Sequence, residues 1–571
     1  MSDLRPCCRL LVIALLALQP VPLAPRPARA AERLPRAAEE SWVEARSERF
    51  VVYSNGGHGM ASRAARHLER VVDVLERTTS GLRTRGRLVR VFVFRDLDSF
   101  GPYQPLGRHE TSLAAGFQVA SEDLNQVAAV GDDPYYLRRF LAHECMHVVL
   151  SWNLGTVPLW FNEGFAELYG SLDARGREAT LGAPISEHMR ALRGRGRKFE
   201  WLLRVTPESA VYQGGAARET FYAASWALVH MLYFDREKAD RFDRFLNRIR
   251  RGATDEQALR DAYGPGARDS LLNLLDEFGY RTGLYSATWE FEAPFESLPV
   301  QQRELESAEA LALLGELVTA LGPTHFDLAR RHLEAAWRAD STNAMPAALL
   351  ATIATMLDDG PAATRWSAAL ERSPSAAPRA HAVLGGLLAR KDVGMEPLSW
   401  PGAGPSPVAL RGRELLRRML DARPESVEWL VPYALTFLEE SGDVSEGIGS
   451  LLLARDASRP DADIEGALSA LYVRAGQLRL ARKLHEEIPP GPRQAFWRAW
   501  TGSLLARATI SVVEDLLRED RFAEADSAVA GLFRATRERA VRDACDNMRR
   551  QIDERRGARA KVDESPDGAR R

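Results

Sequence analysis

Residues 140–168, FLAHECMHVVLSWNLGTVPLWFNEGFAEL, constrain this chain more than any other stretch. His143 and His147 stand four residues apart. In a helix, expected over 136–152, that spacing puts both imidazoles on one face and aims them at a common point. Leu141, Cys145, Val148 and Trp152 recur at helical spacing on the opposite face, which buries the helix against a core. Cys145 lies about 200° round the helix from His143 and reads as a small core residue. After fifteen residues that follow His147, Glu163 opens a second helical stretch, NEGFAEL, with Glu167 one turn further on the same face.

Two imidazoles converging on one point suit a single zinc ion (Zn2+). A zinc site with three protein ligands needs one more group and leaves its fourth position to water. Glu163 is the candidate third ligand, and Glu167 can orient a ligand beside it. Glu144 is one residue round from His143, so its carboxylate falls beside the metal and within reach of a water bound there, as a general base requires. A bare HExxH arises by chance in about one chain in a hundred of this length and histidine content. The amphipathic helix and the carboxylate pair that follows set this one apart.

HECMH at 143–147, WFNEGFAE at 160–167 and FYAASWALVHML at 221–232 together resemble the gluzincin metallopeptidases, and within them the peptidase MA-like bacterial proteins. The resemblance implies that Glu163 is the third zinc ligand. It also implies that Glu167 hydrogen-bonds a ligand histidine, as an acidic residue one turn later does in thermolysin-like relatives. A tyrosine or histidine some tens of residues beyond the third ligand stabilises the oxyanion in related gluzincins, which points to Tyr222 first and His230 next. The competing reading of Tyr222, Trp226, His230 and Tyr233 is a core-facing aromatic stripe. The family plan is a twisted sheet whose edge strand lies across the cleft above the HExxH helix, with a helical lower half carrying Glu163. A substrate backbone could pair with that edge. The GxMEN motif of the aminopeptidase branch is absent, which favours an endopeptidase over an aminopeptidase.

The chain has 571 residues, 45% hydrophobic and 27% charged, with a net charge of -2 and no dominant basic cluster. That balance excludes a disordered chain and a membrane bundle, and gives no reason to expect nucleic acid or an acidic membrane surface as partner. Arg5 and Arg9, the apolar run 10–18 and Ala28, Arg29, Ala30 have the form of a signal peptide over 1–30. Cleavage before Ala31 removes four arginines and one aspartate and leaves a net charge of -5. The product is expected to be exported, to the periplasm or outside a bacterial cell, with no integral membrane segment. Cys145 and Cys545 then remain, too far apart in context to suggest a disulfide framework.

Strands are expected at 50–53, 88–94, 116–119 and 126–130, with a helix over 61–79. Further helices follow, one begun by a capping box, TDEQ at 254–257. The fold class expected for 31–295 is thus an α+β, gluzincin-like peptidase domain. His58, His67, His109 and His188 have no partner at ligand spacing and read as surface or satisfied core. From 305 no stretch is strand-like. AAWRADS at 335–341 resembles AALERSP at 368–374, and TFLEESG at 436–442 resembles ALYVRAG at 470–476, at offsets of 33 and 34. This period resembles degenerate tetratricopeptide repeats, which implies an all-α solenoid over 305–555. A Pro- and Gly-rich loop at 395–407 interrupts it, and a disordered tail is expected over 556–571. The partners expected are a peptide or protein substrate and, on the concave face of the solenoid, a protein. The other reading is a periplasmic protein-binding scaffold whose zinc site is structural or vestigial.

Overall fold

The structure, a computed structural model, describes residues 33–563 apart from 85–88, 106–115, 122, 156, 195–197, 235–239, 374–377, 392–404, 439–441, 458–460, 490–492 and 536–538. The expected signal peptide, His109, most of the 395–407 loop and residues 564–571 lie outside the described residues. The chain divides into two compact units at Pro378.

In the first unit the strands are β1 (Val43–Arg46), β2 (Phe50–Ser54), β3 (Val89–Phe94), β4 (Gly116–Ala120), β5 (Asn125–Val130), β6 (Asp173–Arg175), β7 (Glu178–Leu181), β8 (Ala287–Glu290) and β9 (Gln301–Glu304). Six of them form one mixed sheet in the order β4-β5-β3-β2-β1-β9. The central β2, β3 and β5 run parallel, while β4, β1 and β9 are antiparallel to their neighbours. Strands covered on both faces read as near-continuous apolar runs, and FVVYS and VRVFVF do so except at Ser54 and Arg90. Helix α1 (His58–Thr78) covers one face with Ala61, Ala64, Leu68, Val71, Val72 and Leu75 buried.

Two outer strands are too short or too polar to carry a distinctive hydrophobic pattern. β1 reads VEAR and β9 reads QQRE, and they pair across some 260 residues of sequence. Glu44 on β1 is buried and accepts hydrogen bonds from Arg303 of β9 at 2.8 Å and from Arg46 at 3.2 Å. Three arginines on one face of α1 hold the segment that leads into β9. Arg66, Arg70 and Arg77 donate to the carbonyls of Leu298, Ala293 and Glu290 at 2.9, 2.8 and 2.8 Å.

Beyond β5 the structure turns helical. Helix α2 (Pro134–Asn153) has proline at its first position, and Asp133 caps it by accepting from the Tyr135 and Tyr136 amides. Then come α3 (Leu159–Gly170), the three-stranded antiparallel sheet β6-β7-β8, α4 (Ser186–Leu192) and α5 (Gly215–Tyr233). The capping box at Thr254 is formed and starts the helix Asp255–Tyr263. An α+β region through Glu304 is followed by one that is helical throughout its described residues.

The first four of these helices, Ser307–Ala320, Phe326–Ala339, Ala344–Met356 and Gly360–Arg372, belong to the first compact unit. Arg90 of β3 pairs with Glu316 at 2.7 Å, and the Tyr103 hydroxyl meets His332 Nε2 at 2.9 Å. The change from mixed to helical structure and the compact division are therefore some seventy residues apart. In the second unit the last helix, Arg539–Asp563, continues past residue 556, so the tail expected to start there begins as helix. No helix among the described residues is long and apolar enough to cross a membrane.

Burial holds His67, His332 and His485 down to about 4. In the unfolded chain the same groups take up protons near 6.5. Between these values the unfolded state binds more protons, so stability is highest above 6.5 and is lost as pH falls towards 4. Urea unfolding should show a lower midpoint at pH 4.5 than at pH 7, and His67→Gln should flatten that slope.

Candidate metal centre

The centre is built where α2 meets α3, and a glycine sets how closely α3 can be held. A Cβ on Gly164 would stand 2.2 Å from the Ser225 carbonyl oxygen of α5, so the two backbones touch and only glycine fits. Trp160, Phe161 and Phe165 anchor α3 from within the core, against Phe242 and Phe245 of the helix Asp240–Arg250. On α2, Leu141, Cys145 and Val148 are buried as the periodicity implies, and Trp152 is half-buried. Burial raises the Cys145 thiol to about 12, consistent with a core residue. Edge strand β4 passes α2 one turn before His143, where a Cβ on Gly116 would fall 2.4 Å from the Phe140 ring.

Three ligand-type atoms converge between the helices. His143 Nε2 and His147 Nε2 are 3.0 Å apart, and Glu163 Oε2 lies 3.4 Å from the first and 3.6 Å from the second. Bonds of 2.0–2.1 Å in tetrahedral geometry place neighbouring ligand atoms about 3.3–3.4 Å apart. The three edges bracket that length. Glu163 is only 4% exposed, and its Oε2 is buried without a hydrogen-bond partner among the described residues. A buried, unpartnered carboxylate oxygen beside two imidazole nitrogens is what a site for a divalent cation requires and what an ordinary core avoids. His143, His147 and Glu163 thus form a candidate metal site in a gluzincin-like arrangement.

Glu167 stands behind His143. Its Oε1 is 3.2 Å from Nδ1, while its Oε2 receives His188 Nε2 at 2.9 Å and Arg139 Nη2 at 3.0 Å. The carboxylate can hold a proton on Nδ1 and leave the Nε2 lone pair facing the convergence point. His147 has no such support, because its Nδ1 is buried with no hydrogen-bond partner among the described residues. Burial alone would lower His143, but the carboxylates of Glu163 and Glu167 outweigh it and hold the imidazole well above its ordinary value. Burial alone would raise both carboxyls. For Glu163 the two imidazoles and the Tyr212 hydroxyl together outweigh it and hold the carboxyl below its ordinary value, and for Glu167 His188 and His143 together hold it well below.

Glu144 is half-buried, with no hydrogen bond or ion pair to another side chain among the described residues. Tyr222 on α5 presents its ring edge-on to His143, with centroids 6.3 Å apart. Burial, and then the negative charge of Glu163, push its hydroxyl upward, so it stays protonated. His230, two turns further along α5, is not brought to the site. Its Nε2 faces the carbonyls of Gly182 and Tyr285 at 3.1 and 2.9 Å, in a core with Trp226, Phe234 and Phe278.

Two residues of the site carry no sequence signal that singles them out. His188, read as surface or satisfied core, is buried and holds Glu167 from α4. Tyr212, on the one-turn helix Ala210–Gln213, donates to Glu163 Oε1 at 2.9 Å. Its one available signal is a place some tens of residues after the third ligand, which it shares with Tyr222. No protein-family model matches the chain, and a search of curated proteins returns no relative.

After loading with zinc and exhaustive dialysis, the protein should retain about one equivalent of metal. His143→Ala, His147→Ala and Glu163→Ala should each lose it. Glu167→Ala, which removes only the support of His143, should weaken binding by about 10- to 100-fold. Elemental analysis of the dialysed variants reads the outcome. Full occupancy in Glu163→Ala would transfer the third ligand elsewhere.

Proposed function

We propose that the protein is an exported zinc-dependent metallopeptidase of gluzincin type, and an endopeptidase in preference to an aminopeptidase. The observation that carries this reading is the near-equilateral triangle of His143 Nε2, His147 Nε2 and Glu163 Oε2. Two imidazoles and one carboxylate at tetrahedral separations favour zinc over the oxygen-bound hard cations. Zinc bound there would supply Lewis acidity, polarising a water molecule and the carbonyl of the scissile bond.

The chain's own residues supply the rest. Glu144, beside the triangle and free of side-chain partners, takes a proton from the attacking water on its carboxylate and passes it to the leaving nitrogen. Tyr222, protonated and edge-on to His143, donates its hydroxyl to the oxyanion of the tetrahedral intermediate. Glu167, held by His188 and Arg139, keeps His143 in the tautomer that binds metal. Edge strand β4, passing α2 at Phe140, offers backbone groups with which an extended peptide can pair.

The signal-like first thirty residues support export. Helix spacing supports a repeat reading of the helical region, since Phe326 to Gly360 and Ala344 to Pro378 are both steps of 34 between helix starts. A tetratricopeptide-like solenoid there would bind a protein substrate or partner.

Glu144→Gln should retain metal and fold yet abolish hydrolysis, giving a substrate trap. Exported proteins that the trap captures should be cut internally by the wild type. A wild type that cleaves none of the captured proteins, when the metal-site variant His143→Ala captures the same set, would instead favour the scaffold reading. Tyr222→Phe should keep metal and lower turnover by about two to three orders of magnitude. Unchanged turnover in the folded variant would return Tyr222 to the core.

A further inference from the structure

Each oxygen of Glu163 has a different environment. Oε2 faces both Nε2 atoms, at 3.4 and 3.6 Å, and makes no hydrogen bond. Oε1 points the other way and accepts the Tyr212 hydroxyl at 2.9 Å. A carboxylate with both oxygens free can bind a metal through both, and the second oxygen then occupies the position a catalytic centre must leave to water. We infer that Tyr212 is a positioning residue that restricts Glu163 to coordination through Oε2 alone, and so keeps the fourth position open. The inference rests on the metal reading above and concerns the same site.

The local fold fits this role. The one-turn helix Ala210–Gln213 is separated from α5 by Gly214, and Gly215, which begins α5, adopts the left-handed conformation at φ 57° that a side chain resists. That break lets Tyr212 leave the axis of α5 and return towards α3. Its ring is held edge-on by Phe221 at 5.7 Å and by Tyr222 at 6.2 Å. Aromatic packing therefore orients the ring, and the hydroxyl is the part that addresses Glu163. A phenol has one proton, and here it is committed to Oε1. Tyr212 is thus directed at the ligand carboxylate, while Tyr222 packs edge-on against both Tyr212 and His143.

Cobalt(II) tests this directly, because its visible d–d bands are intense in four-coordinate sites and weaken when a fifth ligand atom is added. The full mature protein, Tyr212→Phe and Tyr222→Phe would each be loaded with cobalt, and zinc transfer to a chelator would be timed in parallel. Wild type and Tyr222→Phe should show the same intense bands. Tyr212→Phe should lose much of that intensity and release zinc about 10- to 100-fold more readily. An unchanged spectrum and release rate in folded, metal-loaded Tyr212→Phe would overturn the role of Tyr212 and leave the metal site standing. A wild type that takes up neither cobalt nor zinc would overturn both. Unfolding of Tyr212→Phe, whose ring is intact, would also overturn the inference by making the hydroxyl a structural requirement.

Discussion

The first unit depends on one electrostatic arrangement, a buried carboxylate on α3 facing two imidazoles on α2. Glu163 is nearly inaccessible, and an unpaired charge in that position would cost several kcal/mol. The neighbours of Glu163 make sense as parts of the answer to that cost. Gly164 lets α3 touch the backbone of α5, and so brings Glu163 to the depth of the histidines. Tyr212 satisfies one oxygen, and the convergence with His143 and His147 reserves the other for a cation. Behind His143, a second buried carboxylate is balanced by His188 and Arg139, so the polar groups of the site are answered from several elements at once.

What the sequence revealed was what local rules control. The start of α2 is written in Asp133 and Pro134, its two faces in the spacing of Leu141, Cys145 and Val148 against His143 and His147, and the central strands in apolar runs. Outer strands were invisible for a physical reason. VEAR alternates over only four residues and QQRE has no apolar residue at all, and they pair across some 260 residues of sequence, where Arg303 meets Glu44. β6, β7 and β8 are three or four residues each, too short to show a period.

The site divides in the same way. His143, Glu144 and His147 lie on one helix and Glu163 and Glu167 on the next, so one-turn spacing orders each set, while the packing of α3 at Gly164 brings the two sets together. Tyr212 and His188 reach the site from elements whose positions depend on tertiary packing, and no spacing rule connects them to Glu163 or Glu167. His230 shows the converse. It shares α5 with Tyr222, yet eight residues are about 12 Å along a helix, and that distance carries it away from the metal site to the carbonyls of Gly182 and Tyr285. The compact division at Pro378 was equally hidden, because Arg90–Glu316 and Tyr103–His332 tie helices of repeat-like composition to the sheet region.

The central claim is that His143, His147 and Glu163 hold one zinc ion between α2 and α3. Anomalous scattering measured above and below the zinc edge, on crystals of the mature protein grown with zinc, tests it most directly. The account predicts one strong peak within about 2.0–2.2 Å of His143 Nε2, His147 Nε2 and Glu163 Oε2, with Glu163 Oε1 still on Tyr212. A map without a peak there, or with the ion bound through Glu167 in place of Glu163, would contradict it.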